Sequence, residues 1–267
     1  MSKRPILILG LAMAVAAIAA TAAIAGPVGA PVPTKDGNSQ AVGSVIGPKK
    51  LFKKTFTPGT LEVTTKLTTS TAPNGVPNPT VNVVIDFDKN AKIFTKGIPT
   101  CDPAKLQNTS TEIAKQQCGK AEIGKGTAEA LIPVGEKVFP ATQTVTAFNG
   151  VPQGGKPVVV LHSYGTTPVQ TTLVLVGTVT NFNKEGYGPR LDINVPLIAG
   201  GAGALTYFNT KIDKKYTYKG KPVSFISAKC PNSKKLKTRS VFTFKDGESS
   251  NPTYIQACKQ RTEPKRK

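Results

Sequence analysis

Four cysteines, Cys101, Cys118, Cys230 and Cys258, have the clearest chemistry in this chain. Four cysteines allow three pairings, and nearness in sequence favours Cys101–Cys118 and Cys230–Cys258. A zinc site is the alternative, but no Cys-x-x-Cys spacing is present and the chain has a single histidine. The sequence therefore predicts two structural disulfides and no metal centre.

His162 is the sole histidine, so a Ser-His-Asp hydrolase would have to use it as the general base. Ser163 is adjacent, but neighbours on a strand point to opposite faces and cannot share the required hydrogen bond. The chain also lacks a Gly-x-Ser-x-Gly motif. We expect His162 to be a strand residue at the sheet surface, and we predict no catalytic residue.

Asp86, Asp88 and Asn90 are spaced like the beginning of a calcium loop. An EF-hand loop continues with glycine and has glutamate at its twelfth position, where this chain has Ala91 and Gly97. A strand end that runs into a polar turn explains the three residues at least as well, so no calcium ion is expected.

Two further patterns lack the residues that their chemistry needs. The run Gly200–Gly203 is not followed by Gly-Lys-Ser/Thr, so it predicts a flexible connection and no nucleotide cofactor. The 15 acidic residues leave a paired-carboxylate hydrolase open as an alternative function. The absence of tryptophan weakens sugar stacking without excluding sugar binding.

The charge of the chain is strongly basic, with 35 Lys and Arg against 15 Asp and Glu. The densest cationic stretch is a candidate surface for anionic wall polymers or polysaccharides; its candidate residues are Lys211, Lys214, Lys215, Lys219, Lys221, Lys234, Lys235, Lys237 and Arg239. The charge pattern alone favours scattered lysines that maintain solubility, because charge runs are usually solvated faces. Sequence-specific nucleic-acid binding is not expected, because arginine is scarce.

The N-terminus has the order of a secretory signal peptide. Lys3 and Arg4 precede an uncharged, alanine-rich run that ends in the small residues before Gly26. An uncleaved membrane anchor is the alternative, but the Gly/Pro-rich stretch that follows favours cleavage after Ala25. The sequence therefore predicts a secreted protein in an oxidising compartment.

The rest of the chain predicts an all-β fold, an antiparallel sandwich or jelly roll with one short helix. Period-2 alternation marks strands such as Val81–Phe87. Glycine-containing turns, Lys219-Gly220 among them, separate roughly ten to twelve strands. One helix is predicted between the first two cysteines: Asp102 caps it, Leu106, Ile113 and Ala114 share its buried face, and Gly119 ends it.

The predicted organisation has four parts: a signal peptide (1–25), a Gly/Pro-rich linker (26–43), one β domain (44–258) and a basic tail (259–267). The stretch Asn149–Lys156 begins with an Asn-Gly turn signal. It is either a long loop or a boundary between two domains, and we favour a single domain.

A Gly97–Cys101 segment leads to Cys118-Gly119-Lys120, and a late Cys230 precedes a Phe-rich strand that ends in Asp246-Gly247. In this order the chain resembles a group of secreted β-rich proteins of high-GC Gram-positive bacteria. The resemblance implies location and fold, and it transfers no site residue. The leading hypothesis is a secreted, non-enzymatic binding protein of the envelope; a hydrolase and a structural or lipid-handling protein are the alternatives.

Overall fold

The computed structural model describes residues 26–263, and one curled sheet runs through most of them. The predicted signal peptide lies outside the described residues, as do the last four residues of the predicted tail. The predicted antiparallel all-β fold with one short, disulfide-clamped helix is confirmed.

The strands in chain order are β1 (Val32–Pro33), β2 (Asn38–Gly47), β3 (Lys50–Phe52), β4 (Thr57–Thr69), β5 (Thr80–Asp88), β6 (Ala91–Ile93), β7 (Glu122–Val134), β8 (Lys137–Gln153), β9 (Lys156–Gly165), β10 (Thr171–Asn181), β11 (Tyr187–Asn194), β12 (Ala204–Ile212), β13 (Lys215–Tyr218), β14 (Lys221–Ser224), β15 (Ile226–Ala228), β16 (Lys235–Phe244), β17 (Ser249–Ser250), β18 (Thr253–Ala257) and β19 (Lys259–Arg261). The helical segments are α1 (Thr111–Cys118) and the 3-10 turns Pro103–Leu106, Gly119–Ala121 and Ala199–Gly201.

The main sheet has 15 strands and follows the order β1-β2-β4-β12-β7-β8-β9-β10-β11-β5-β16-β17. Strand β18 pairs with β16, and β15 pairs with both β4 and β6. Two small separate sheets, β13–β14 and β3–β19, complete the fold. Neighbours along the main sheet are antiparallel, so alternate connections lie at the same end of the molecule.

Side-chain hydrogen bonds join the two edges of the main sheet, and the central pair is made by Gln256. The buried amide of Gln256 on β18 accepts a hydrogen bond from the Ile46 N–H of β2 and donates one to the Ile46 carbonyl, each at 2.7 Å. Among the described strands, β2 and β18 share no backbone ladder. The Gln256 amide therefore takes the place of a peptide group and leaves the sheet nearly closed.

Residues 26–33 cover the outside of this seam. The Gly29 N–H donates to the Val42 carbonyl at 2.8 Å, and the Ser250 hydroxyl donates to the Val32 carbonyl at 2.7 Å. The Pro27 carbonyl passes so near Gly43 that a Cβ at position 43 would lie 1.7 Å from its oxygen. Glycine is required at that crossing, because any side chain would push the segment away.

The predicted linker over residues 26–43 is therefore wrong for its second half. Strand β2 begins at Asn38, and Val42 is fully buried. The sequence did not reveal this strand because its inward positions include Gln40 and Ser44, which do not give an apolar alternation.

Inward-facing side chains from all parts of the curled sheet form one core. It joins Leu61 and Val63 of β4 to Ile85 of β5, Val145 of β8 and Ile193 of β11 across the interior. A second cluster lies outside the sheet, where Cys101, Leu106, Ala114 and Cys118 cover Phe148, Val158 and Val160.

The predicted single helix is wrong in its extent. Asp102 does cap a helical segment, but that segment is the 3-10 turn Pro103–Leu106; Ser110 caps α1 separately. The chain is extended at Gln107, so one helical period does not continue across both pieces. For this reason Ile113 is 43% exposed, although it was predicted to share a buried face with Leu106.

Both predicted disulfides are confirmed. Cys101–Cys118 has a Cα–Cα distance of 5.4 Å and joins the beginning of the helical segment to the end of α1. Cys230–Cys258 has a Cα–Cα distance of 5.9 Å and ties the chain before β16 to the chain after β18.

The stretch Asn149–Lys156 is neither a boundary nor a long loop. Asn149 and Gly150 lie within β8, and only Gly154 and Gly155 form the turn to β9. The Asn149 amide donates to the carbonyls of Ile98 and Pro99 at 3.2 and 3.1 Å. The predicted Asn-Gly turn is wrong because this asparagine holds a neighbouring segment onto the strand.

The predicted tail begins later than expected. Residues 259–261 form β19, which pairs in parallel with β3 and sets Lys259 opposite Lys50. The Glu263 carboxylate accepts a hydrogen bond from the Lys54 N–H at 2.6 Å. The Cys230–Cys258 disulfide holds β19 within reach of β3. Amino-acid composition alone does not predict this pairing.

We predict that Gln256→Glu lowers the free energy of unfolding by about 2 kcal/mol, because a carboxylate cannot donate to the Ile46 carbonyl and leaves it unpaired. Gln117→Glu, on the exposed face of α1, is the matched control. Urea denaturation of both variants measures the difference. Equal stability of the two variants would mean that the amide does not close the sheet.

Candidate functional site

The antiparallel order collects lysines at one end of the sheet. Strands β2, β5, β8, β10, β12 and β18 end there, and the connections that follow them carry many cations. We call this surface the basic end and define it by Lys49, Lys50, Lys53, Lys54, Lys89, Lys92, Lys96, Lys184, Lys214, Lys215, Lys219, Lys221, Lys229, Lys234, Lys259 and Arg261, with Lys235 at the first residue of β16.

The opposite end, here called the neutral end, is formed by the connections 70–79, 135–136, 166–170, 195–203 and 245–252 together with residues 26–37. Within these ranges the cations are Lys35 and Lys245, and the acidic residues are Asp36, Glu136, Asp246 and Glu248. The positive charge of the described chain is thus concentrated at one end of its long strands.

The structure brings most of the sequence-predicted cationic residues together. Lys214, Lys215, Lys219, Lys221 and Lys234 lie in the connection from β12 to β16 at the basic end, beside Lys235. Lys211 lies within β12, opposite Glu62 of β4 and Lys125 of β7, on the side of the sheet. It belongs to the wall of the molecule and not to its end.

Arg239 and Lys237 are engaged within the protein. The Arg239 guanidinium donates to Asp86 at 2.8 Å and also to the Glu185 carboxylate. The Lys237 ammonium donates to the Glu185 carbonyl and lies 4.4 Å from the centre of the Tyr187 ring. These two side chains hold β16 to neighbouring strands, so they are weaker candidates for an external anion.

Asp86 is the acceptor at the centre of this network. Its carboxylate is 2% exposed, and Arg190 donates to its two oxygens at 2.6 and 2.9 Å, alongside Arg239. Burial alone would raise the pKa of Asp86, but the hydrogen bonds and charges of the two arginines lower it below its ordinary value. Asp86 is therefore ionised and structural, joining β5, β11 and β16.

A hairpin with an aromatic base positions the central lysines of the basic end. Strands β13 and β14 pair around the turn Lys219–Gly220, as the sequence predicts. The Tyr216 ring stacks on Phe94 with centroids 6.5 Å apart, and Tyr218 meets the same ring edge-on at 5.5 Å. These contacts fix the hairpin while its lysines remain exposed.

A second group of cations, which the sequence did not predict, surrounds Phe56. The ammonium groups of Lys92 and Lys229 lie 5.7 and 4.7 Å from the centre of that ring. Their strands, β6 and the end of β15, are direct neighbours. The lysines of 49–54 are close together in the sequence. Their proximity to distant residues such as Lys259 depends on which strands pair, and the sequence pattern does not show that.

His162 is a strand residue, as predicted, but it is fully buried and not at the sheet surface. Its Nε2 lies 3.0 Å from the Thr109 carbonyl, which can only accept, so Nε2 carries the proton. Nδ1 has no hydrogen-bond partner among the described residues. Burial lowers the pKa of His162, opposed by the hydrogen bond to Thr109, and the ring is neutral. The Ser163 hydroxyl donates a hydrogen bond to the Gln143 side-chain carbonyl at 2.6 Å and not to the His162 ring.

The remaining sequence candidates have structural partners. Asp88 accepts a hydrogen bond from the Asn90 N–H at 2.8 Å, which forms a turn at the end of β5. It accepts a second from the Lys237 N–H of β16 at 3.1 Å. In the described part of the chain, no group of three or more His, Cys, Asp or Glu is placed to hold a metal ion. No helix within residues 26–263 has the length and apolarity to cross a membrane.

No protein-family model, curated protein or solved structure matches this chain. A function for this chain is therefore inferred from the geometry of its own residues.

We predict that Asp86→Asn lowers the free energy of unfolding by about 2–3 kcal/mol at pH 7, because it leaves two arginines without their shared anion. The folded-state pKa of Asp86 is depressed, so its contribution is present above pH ~4 and is lost as the pH falls through that pKa. Asp213→Asn, at an exposed position, is the control. A stability difference that stays constant from pH 7 to pH 3 would contradict this role.

A second prediction concerns His162. Because its folded-state pKa is lowered, the unfolded chain binds the proton first, and stability decreases as the pH falls below ~6.5. His162→Gln keeps a donor for Thr109 and does not titrate, so its stability should fall less between pH 7.5 and pH 5, by up to about 1 kcal/mol per pH unit. Urea denaturation of both proteins across this range tests it, and parallel curves would mean that the pKa of His162 is the same in the folded and unfolded states.

Proposed function

We propose that this protein is a secreted, non-enzymatic binding protein of the cell envelope, and that its basic end binds an anionic polysaccharide or wall polymer. The observation that carries the proposal is the segregation of charge. Lysine runs that are far apart in the sequence meet at one end of the sheet, and the neutral end has almost no cations.

The type of cation fits a polymeric anion. Lysine carries a compact charge on a flexible stem, whereas arginine offers a planar fork that fits one bidentate partner. The exposed cations of the basic end are lysines with the exception of Arg261, whose guanidinium lies 3.9 Å from the centre of the Phe52 ring. Flexible point charges suit a repeating anion that has no single docked geometry.

The density of charge also supports binding. Charges interact appreciably within a Debye length of about 8 Å at physiological ionic strength. Lys92 and Lys229 share one ring, and Lys259 is the strand partner of Lys50. Close like charges repel one another, and an anion nearby relieves that repulsion; a polymer provides anions at many positions along its length.

Secretion is part of the proposal. It is supported by the signal-peptide pattern over residues 1–25 and by two disulfides, which persist in oxidising compartments. The large share of side-chain chemistry that serves structure, as at Asp86 and His162, favours a binding role over a hydrolytic one.

The test compares two variants of equal charge. Replacing Lys215, Lys221, Lys234 and Lys235 with glutamine removes four exposed charges from the basic end. Replacing Lys35, Lys66, Lys137 and Lys245 with glutamine removes four exposed charges elsewhere. We expect the first variant to elute from heparin and from polyphosphate at clearly lower salt than wild type, by a tenfold or greater loss of affinity at 0.15 M salt.

The control variant should elute close to wild type, because its lysines are distant from the proposed surface. Both variants should keep the wild-type melting temperature, since exposed lysines contribute little to stability. Equal elution of the two variants would mean that only net charge matters, and the basic end would not be a binding site.

A further inference from the structure

The interior of the curled sheet contains apolar space near the neutral end. Two adjoining cavities, of about 60 and 30 Å³, share the lining residues Leu161, Leu175, Val195, Leu205 and Phe208. A single water needs only about 10–15 Å³ but also two or more polar partners. The shared wall is apolar. The polar lining residues each border only one of the two cavities: Gln40, Thr65 and Thr80 border the larger, and the hydrogen-bonded pair Gln143 and Ser163 borders the smaller.

The walls of this space are incompletely covered although they face inward. Leu175, Leu205, Phe208 and Val195 are each only half-buried. At the same level the inward positions of β7 and β8 include the small residues Ala128, Ala130 and Ala141, beside the larger Ile132 and Gln143. The cavities are therefore the deep parts of an apolar cleft that solvent reaches from the neutral end.

The rim of the neutral end is apolar as well. Four of the large hydrophobic residues that are exposed in the described chain lie in or beside its connections: Val134 (58%), Phe139 (36%), Val169 (64%) and Leu197 (44%). Exposed apolar residues gathered at one end of a fold mark a contact with an apolar partner. Their position around the mouth of the cleft connects the rim to the interior.

The segment 195–203 lies across the mouth. Ile198 packs on Ala130, Ile132 and Ala141, and the N–H groups of Gly201 and Gly203 donate back to the Ile198 carbonyl at 2.9 and 3.1 Å. These two bonds are internal to the segment. The Val195 N–H donates to the Val81 carbonyl of β5 at 2.9 Å, so the first residue is held to the main sheet and the residues that follow it can move without breaking that bond. Lys245 makes a long hydrogen bond to the Gly201 carbonyl, at 3.5 Å.

We propose that this cleft binds the hydrocarbon chain of a single lipid molecule, which enters at the neutral end beneath the segment 195–203. The site is independent of the basic end and lies at the opposite end of the strands. An acyl chain fits because it is narrow, aliphatic and needs no polar partner inside. The exposed apolar rim would contact the lipid surface from which the chain is taken.

The first test uses parinaric acid, an 18-carbon fluorescent fatty acid whose emission rises in apolar surroundings. We expect wild-type protein to bind it and to raise its emission. Leu175→Phe fills the space shared by both cavities, and Val195→Trp fills the mouth. Each variant should weaken binding at least tenfold without lowering the melting temperature, because each fills a void.

The matched control is Ile113→Phe, which enlarges an exposed apolar residue on α1 and should bind like wild type. Methyl NMR of wild-type protein provides a second measurement if the filled variants do not fold. Shifts at Leu161, Leu175 and Leu205 on addition of parinaric acid support the site. Absence of binding, equal binding by correctly folded filled variants, or shifts confined to surface methyls would overturn it.

A second variant separates the rim from the cavity. Val169→Asp with Leu197→Asp places two charges on the exposed rim. We expect uptake of parinaric acid from phosphatidylglycerol vesicles to slow at least fivefold, while binding of the free fatty acid stays within twofold of wild type. Unchanged uptake would show that the rim does not contact the lipid surface and would overturn that part of the proposal. Loss of polymer binding in the lysine variant should leave all these results unchanged.

Discussion

The closure of the sheet by Gln256 is the constraint on which the rest of this structure depends. An open sheet of this length would present two unpaired edges to solvent, and such edges invite association. A primary amide is well suited to close them, because it offers one donor and one acceptor at nearly the spacing of a peptide group. The Ile46 N–H and carbonyl are both bonded in this way, and residues 26–33 cover the join.

Closure also requires the sheet to curl sharply, and glycines on β7 allow it. A Cβ at Gly124 or Gly126 would lie 2.2 or 1.9 Å from the carbonyl oxygens of Lys211 and Asn209 on β12. With the strands wound around one interior, their connections are sorted into two ends. The cationic runs then meet at one end, where the Cys230–Cys258 disulfide and the β3–β19 pair fix their mutual positions.

The sequence predicted what depends on local patterns. Strands with large alternating residues, such as β5, were found, as were both disulfides and the Lys219–Gly220 turn. The long hairpin of β7 and β8 was missed, because its inward residues include alanine and glycine, which give no strong alternation. The basic end was predicted in part, because many of its lysines lie in one stretch of sequence before β16. The lysines of 49–54 and those around Phe56 join that stretch only through the order of the strands.

The two ends of the interior are packed differently, and this difference supports the separate roles proposed for them. At the basic end the interior is filled by large, fully buried residues such as Leu51 and Phe225, which give the charged connections a rigid base. At the neutral end small inward residues leave apolar walls half-covered. Burial of such walls would add about 25 cal/mol for each Å² removed from water, so the fold leaves available stability unused there. Departures from good packing are expected where a protein binds something else, and here the departure coincides with a rim that has exposed apolar residues and few cations.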